Sequence, residues 1–240
     1  MEETVHRREP LPSGEWIHAQ TWENLLFAHW RVPIDELRPY VPEELPLDTF
    51  DGTPWLGITP FRIRGLRARG LLPLPRISTF LELNVRTYVE LDGKAGIYFL
   101  SLDTESSLAV EAARRLYRLP YFRARMSAHL SHGEVDFASE RVEGRQATLV
   151  ARFRPVGEPA PPSPGSLEHF LAERYSLFTM HGDGVHWAQI HHPPWPLQQA
   201  EVEIEENTMP PPGIELSGEP VCHFAARQDV VLWGLEPFEA

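Results

Sequence analysis

The chain has 240 residues, enough for one large domain with a full core. Its formal charge of −12 repels nucleic acid and anionic membranes, both of which need Lys/Arg patches. It has no apolar run of the ~18 residues that a membrane helix needs, no leader-like apolar stretch at its start, and one cysteine, Cys222, so an internal disulfide is excluded and a cytoplasmic location is expected.

In chain order, residues 1–15 read as a loose arm or edge segment and 21–30 as a largely apolar first strand. Residues 33–38 form a short helix, with Pro33 at its first position and Asp35 and Glu36 in the first turn. Asp51-Gly52 marks a turn, 53–63 a second strand, and the Gly-, Pro- and Arg-rich stretch 64–76 a loop. Its neighbouring arginines, Arg62, Arg64, Arg67 and Arg69, read as solvated rather than as an anion site.

Residues 79–102 organise the reading. Two runs rich in Val, Ile, Tyr and Phe flank Asp92-Gly93, a strong hairpin signal. In the first run Leu81, Leu83, Val85, Thr87 and Val89 share one face. Glu82, Asn84 and Arg86 share the other, bracketed by Phe80 and Tyr88. Two readings of that polar triplet stand side by side: a wetted outer face of an antiparallel sheet, or the wall of a ligand pocket.

After the hairpin, Asp103 or Thr104 is expected to cap a helix with Leu108, Ala112 and Leu116 on one packing stripe, ended by Leu119-Pro120. Residues 122–130, 134–142 and 146–153 read as a meander, and 155–164 as a long proline-rich loop. Ser166 caps a helix over 167–174. A hairpin over 175–180 and 185–191 turns at Gly182-Asp183-Gly184, and the last strands span 197–204 and 221–233. The class is therefore α+β, mainly β, with a closed or nearly closed sheet and a few helices.

No G-x-S-x-G elbow, phosphate loop or dinucleotide fingerprint is present, and no cofactor is expected. His181, His186, His191 and His192 gather late, with Asp183 among them, but their spacing fits no zinc pattern, so no metal is assigned. Cys222 reads as core packing. His29, Trp55, Trp195 and Gln198 stand where aromatic and polar residues mix. Singly they read as packing; together they could supply an apolar wall and polar handles to a small pocket.

The stretches HWRVP (29–33), DTFDGTPWLGITPF (48–61), FLELNVRTYV (80–89), GIYFLSLD (96–103), LPYFRARM (119–126) and PWPLQQA (194–200) give the chain a family likeness. It resembles the YqjF-like uncharacterised bacterial family of the acetoacetate decarboxylase-like superfamily. The resemblance implies a single domain over 1–240: a cone-shaped antiparallel β-barrel with outer helices and a central cavity. In the decarboxylases a lysine just after a proline forms a Schiff base. Here the equivalent proline is Pro120, followed by Tyr121 and Phe122, and both of the family's lysines are missing. The decarboxylases' pocket glutamate on this strand corresponds to Glu82. Their second glutamate falls near Trp55 and their arginine near Glu23, and neither is kept.

Two functions follow. One is an enzyme acting on a small carbonyl or carboxylate compound, lyase-like or isomerase-like, with Glu82 as base, Arg86 as anion clamp, and Asn84 and Tyr121 as donors to an oxyanion. The other is a binding protein that uses the same cavity without turnover. A third reading makes Glu82 and Arg86 an internal salt bridge filling a vestigial cavity. The expected partners are a small-molecule ligand and further copies of the chain in a homo-oligomer.

Overall fold

The computed structural model describes residues 4–7, 9–75, 77–182 and 184–239, with the side chain of Ala112 also outside the description. Arg76, Asp183 and the Ala112 side chain, which the sequence reading used, therefore lie outside the described residues. The strands are β1 His18–Arg31, β2 Trp55–Ala68, β3 Phe80–Leu91, β4 Lys94–Thr104, β5 Tyr121–Ser131, β6 Glu134–Arg141, β7 Thr148–Ala160, β8 Ser176–His181, β9 Gly184–His191, β10 Leu197–Asn207, β11 Val221–Leu232 and β12 Glu236–Pro237. The α-helices are α1 Ile34–Leu37, α2 Ser107–Leu116 and α3 Leu167–Ala172.

One sheet holds every strand, in the order β12-β9-β8-β4-β3-β2-β1-β11-β10-β7-β6-β5. Two extra pairings, β4 with β5 and β9 with β11, join distant parts of that order. The sheet thereby closes into two rings that share the wall β4-β3-β2-β1-β11. One ring is completed by β10, β7, β6 and β5, the other by β8 and β9. The pairing is antiparallel except where β4 meets β5 and β8, two short parallel contacts that the expectation of a purely antiparallel sheet missed.

A shared wall is enclosed on both sides, and β3 shows the consequence: every residue from Phe80 to Val89 is buried. The odd-numbered face, with Leu81, Leu83 and Val85, packs on Leu56 and Ile58 of β2, Val135 and Phe137 of β6, and Leu149, Ala151 and Phe153 of β7. That first ring is filled with hydrocarbon, the main driving force for its closure. The even-numbered face carries the polar triplet and turns into the second ring.

Several boundaries differ from the sequence reading. β2 runs on to Ala68 where a loop was expected, because Arg64 lies across from Thr21 of β1 and reaches Glu23 at 3.2 Å. β7 extends through Pro155 and Pro159 to Ala160. Its contacts with β6 end at Phe153, so beyond that point only β10 needs it and a missing N–H on the outer side is tolerated. Asp103 and Thr104 belong to β4 and are fully buried. Asp103 pairs with Arg141, while Ser106 caps α2 by accepting from the Ala109 amide at 3.2 Å. Leu108 and Leu116 are both exposed and Val110 is buried, so α2 does not pack through the Leu108 stripe; Ala109, Ala113 and Leu116 border a space beneath it. Ser166 caps α3 as expected, but α3 ends at Ala172.

Candidate functional site

Row by row, the even face of β3 meets its neighbours as Phe61–Glu82–Thr104, Thr59–Asn84–Leu102 and Gly57–Arg86–Phe99. Regular alternation cannot place both Leu102 and Phe99 on one face. A register shift on β4 opposite the Val85/Arg86 step does so, and both residues line the cavity. A second irregularity acts on β1. Asn24 takes a left-handed φ of 52°, which its short polar side chain tolerates. Gln20 and Trp22 before it, and Leu25 after it, consequently face the same cavity.

That cavity measures about 80 Å³ and lies inside the second ring. Glu82, Asn84, Arg86, Tyr121 and Trp195 line it, joined by Thr59, Trp22, Arg174 and His192. Asn84 Oδ1, Arg86 Nε, Thr59 Oγ1 and the indole nitrogens of Trp22 and Trp195 are all buried without a hydrogen-bond partner. Buried polar atoms are ordinarily paired, and the residues that carry these five all line the one cavity.

Arg86 is the most demanding of them. Its Nη2 donates to the Leu171 carbonyl at 3.1 Å and lies 3.4 Å from the Tyr88 hydroxyl, and its guanidinium stands over the Phe27 ring. No carboxylate lies within ion-pair distance of it among the described residues, and this removes the reading of an internal Glu82–Arg86 bridge. Arg174, by contrast, is neutralised by Asp48 at 2.6 Å.

Glu82 accepts a hydrogen bond from the Tyr121 hydroxyl at 2.8 Å. Burial pushes its carboxyl up to about 7, the tyrosine bond only partly opposing the shift. Burial, and then the neighbouring carboxylate, pushes the Tyr121 phenol up as well, so it stays a donor. Burial lowers His192, partly opposed by Glu173 and by two carbonyls, that of Pro193 at 2.8 Å from Nδ1 and that of Arg174 at 3.4 Å from Nε2.

The other expected site residues stand apart from the cavity. His29 is buried in the same row as Gly57 and Arg86 but does not line the cavity. Tyr88 gives its proton to the Leu171 carbonyl at 2.8 Å, and His29 Nε2 meets the Tyr88 oxygen at 2.7 Å. The ring occupies the space that Gly57 leaves free: a Cβ there would stand 2.9 Å from the imidazole and 3.3 Å from Arg86 Cγ. Burial, then the Arg86 charge, holds His29 well below its ordinary value. Trp55 packs with Tyr88, Ile97 and Leu171 on the same face, beyond Arg86 and outside the cavity lining. Gln198 is at the surface, donating to the Gly157 carbonyl at 2.7 Å. Sequence reasoning missed Gln20, Trp22, Arg174 and His192, the last of them buried.

A larger cleft of about 290 Å³ lies on the far side of Arg174, under the N-terminal arm. Within it Asp48 pairs with Arg174 and Glu9 with Lys94 at 3.2 Å, while Arg7 donates to the Ile190 carbonyl at 2.7 Å and keeps its Nη2 unpartnered.

Comparison with known proteins agrees with this architecture. The protein YqjF of Bacillus subtilis (strain 168), itself uncharacterized, is 44% identical over 227 residues, covering 94% of each chain. Among solved structures, the enduracididine biosynthesis enzyme MppR complexed with pyruvate superposes with a TM-score of 0.65 at 11% identity, covering 96% of this chain and 93% of that one. Acetoacetate decarboxylase from Legionella pneumophila gives 0.63 at 12% identity, covering 98% and 94%. The fold is thus α+β, mainly β, of the acetoacetate decarboxylase-like type. Residues 19–229 match the family DUF2071, and the chain belongs to that family of uncharacterized conserved proteins.

Proposed function

We propose that the cavity binds a small carbonyl-bearing carboxylate and that Glu82 exchanges a proton with it. The observation that carries this reading is Arg86: a buried guanidinium with an unpartnered Nε and no ion-pair partner among the described residues, on a side chain that lines the cavity. An unpaired buried charge is expensive, and a bound anion would relieve that penalty. One structural neighbour holds pyruvate, a molecule of this class.

The chain's one lysine, Lys94, lies at the β3–β4 turn, paired with Glu9. An iminium route therefore has no lysine amine in the cavity, and the chemistry left is general acid–base catalysis. A carboxyl near 7 suits it, because both protonation states are populated at neutral pH. Ionised Glu82 takes a proton from the carbon beside the carbonyl. The C–H electron pair becomes the C=C bond of an enolate and the carbonyl π pair moves to oxygen. The indole N–H groups of Trp22 and Trp195, the Asn84 amide and the Tyr121 hydroxyl are the donors at hand for that oxygen. Return of the proton at the same or another position completes an isomerase-like cycle.

Deuterium exchange tests this. Incubated in D₂O with 2-oxobutanoate and followed by proton NMR, the wild type should accelerate loss of the C3 protons, and Glu82→Gln should not. Arg86-dependent binding with no exchange would favour the alternative, a binding protein without turnover. Neither binding nor exchange would end both readings.

A further inference from the structure

A second chamber adjoins the first and shares part of its wall. It measures about 150 Å³ and is walled mainly by Ile63, Leu66, Phe80, Ala113, Leu116 and Leu177. Gln20, Glu82, Leu119, Tyr121, Leu177 and Leu232 border both spaces, so the Glu82–Tyr121 pair stands at the junction. Of the residues that line the two chambers, those with an unpartnered buried polar atom, Trp22, Thr59, Asn84, Arg86 and Trp195, line only the inner one. In the outer one, Tyr117 and His18 satisfy each other at 2.8 Å, and burial lowers His18 toward its neutral form.

The roof of the outer chamber is α2, through Ala109, Ala113 and Leu116. This helix is the crossover between the parallel strands β4 and β5, which seats it against the end of the shared wall where Glu82 lies. Small residues at 109 and 113 keep the space open beneath the helix. A 150 Å³ cavity with this kind of lining takes an apolar guest as large as benzene.

Building on the proposed function, we infer that the ligand is a carboxylate with an apolar tail of about six carbons. Its acid group sits on Arg86, its reacting centre passes Glu82, and its hydrocarbon end lies under α2. The polarity of the two chambers sets that direction. The reverse placement would bury a carboxylate among leucines and leave Arg86 bare.

The test uses straight-chain 2-oxo acids from pyruvate to 2-oxooctanoate, titrated into the full chain. Binding is read by calorimetry and by indole fluorescence, since Trp22 and Trp195 line the inner chamber. Affinity should rise about fourfold per added methylene, the equivalent of about 0.8 kcal/mol, until the outer chamber is full. Ala113→Phe fills that chamber, and Leu116→Trp does so from a site that is 56% exposed and tolerant of change. In each, the preference for 2-oxooctanoate over pyruvate should collapse toward unity. Arg86-dependent binding that is indifferent to chain length would overturn the tail assignment and leave the inner carboxylate site standing. Absence of Arg86-dependent binding at every length would overturn both.

Discussion

The Tyr121 hydroxyl donates to Glu82 Oε2 at 2.8 Å, tying the first residue of β5 to the start of β3 in the shared wall. This bond holds the carboxyl in place at the junction of two chambers, while burial keeps its affinity for a proton high. The relationship has a cost in stability that depends on pH. With its carboxyl raised from 4.5 to about 7, folded Glu82 keeps a proton that the unfolded chain has lost across that interval. Stability therefore falls as pH rises from 4.5 to 7, by about 3 kcal/mol in total, and the deficit persists above. Glu82→Gln should melt close to wild type at acid pH and several degrees higher at pH 8, as read by thermal unfolding across that range.

Arg86→Met should separate stability from binding. The Leu171 carbonyl keeps its bond from Tyr88, so no buried acceptor is orphaned, and a lone buried charge is removed. Denaturant unfolding should show a protein as stable as wild type or more stable by about 1–2 kcal/mol. Anion binding should be lost.

Gly57→Ala places a methyl group 2.9 Å from the His29 ring and 3.3 Å from Arg86 Cγ. Its backbone is not left-handed, so the effect is steric. Overpacking of this kind costs about 1–3 kcal/mol. Shifting Arg86 should also weaken 2-oxo acid binding. His29→Ala makes room for the methyl group, so in the double variant the Gly57→Ala penalty should shrink, a non-additivity measurable by urea unfolding.

Asp103→Ala breaks a pair in which both partners are buried, Arg141 Nε lying 2.9 and 3.1 Å from the two carboxylate oxygens. The guanidinium, stacked on Phe122 and bonded to Ser101, stays in place without its counter-charge. A loss of about 3–5 kcal/mol in chemical denaturation is expected. Such a loss would be consistent with Asp103 serving the sheet rather than capping α2.

Alternation along β3 made the split between Leu81, Leu83, Val85 and Glu82, Asn84, Arg86 legible, because no bulge interrupts their pairing with β2. It could not show that both faces are enclosed, since that follows from β5 and β9 closing the sheet far away in sequence. Gln20 and Trp22 were hidden by Asn24, whose left-handed turn breaks the alternation read from Leu25 and Phe27. Arg174 and His192 lie outside helix and strand, where no periodicity points. Trp55 and His29 were chosen for their chemistry, and their strands do carry them inward, but beside and beyond Arg86 rather than onto the cavity. On α2 the three- and four-residue spacings admit two adjacent stripes, and only the tertiary structure places Ala109, Ala113 and Leu116 over the space beneath it.

The most direct test of the anion site is a calorimetric titration of 2-oxohexanoate into wild type, Glu82→Gln and Arg86→Met at pH 7. A carboxylate held by Arg86 predicts binding to the first two proteins and none to the third. Equal binding to Arg86→Met and wild type would contradict it.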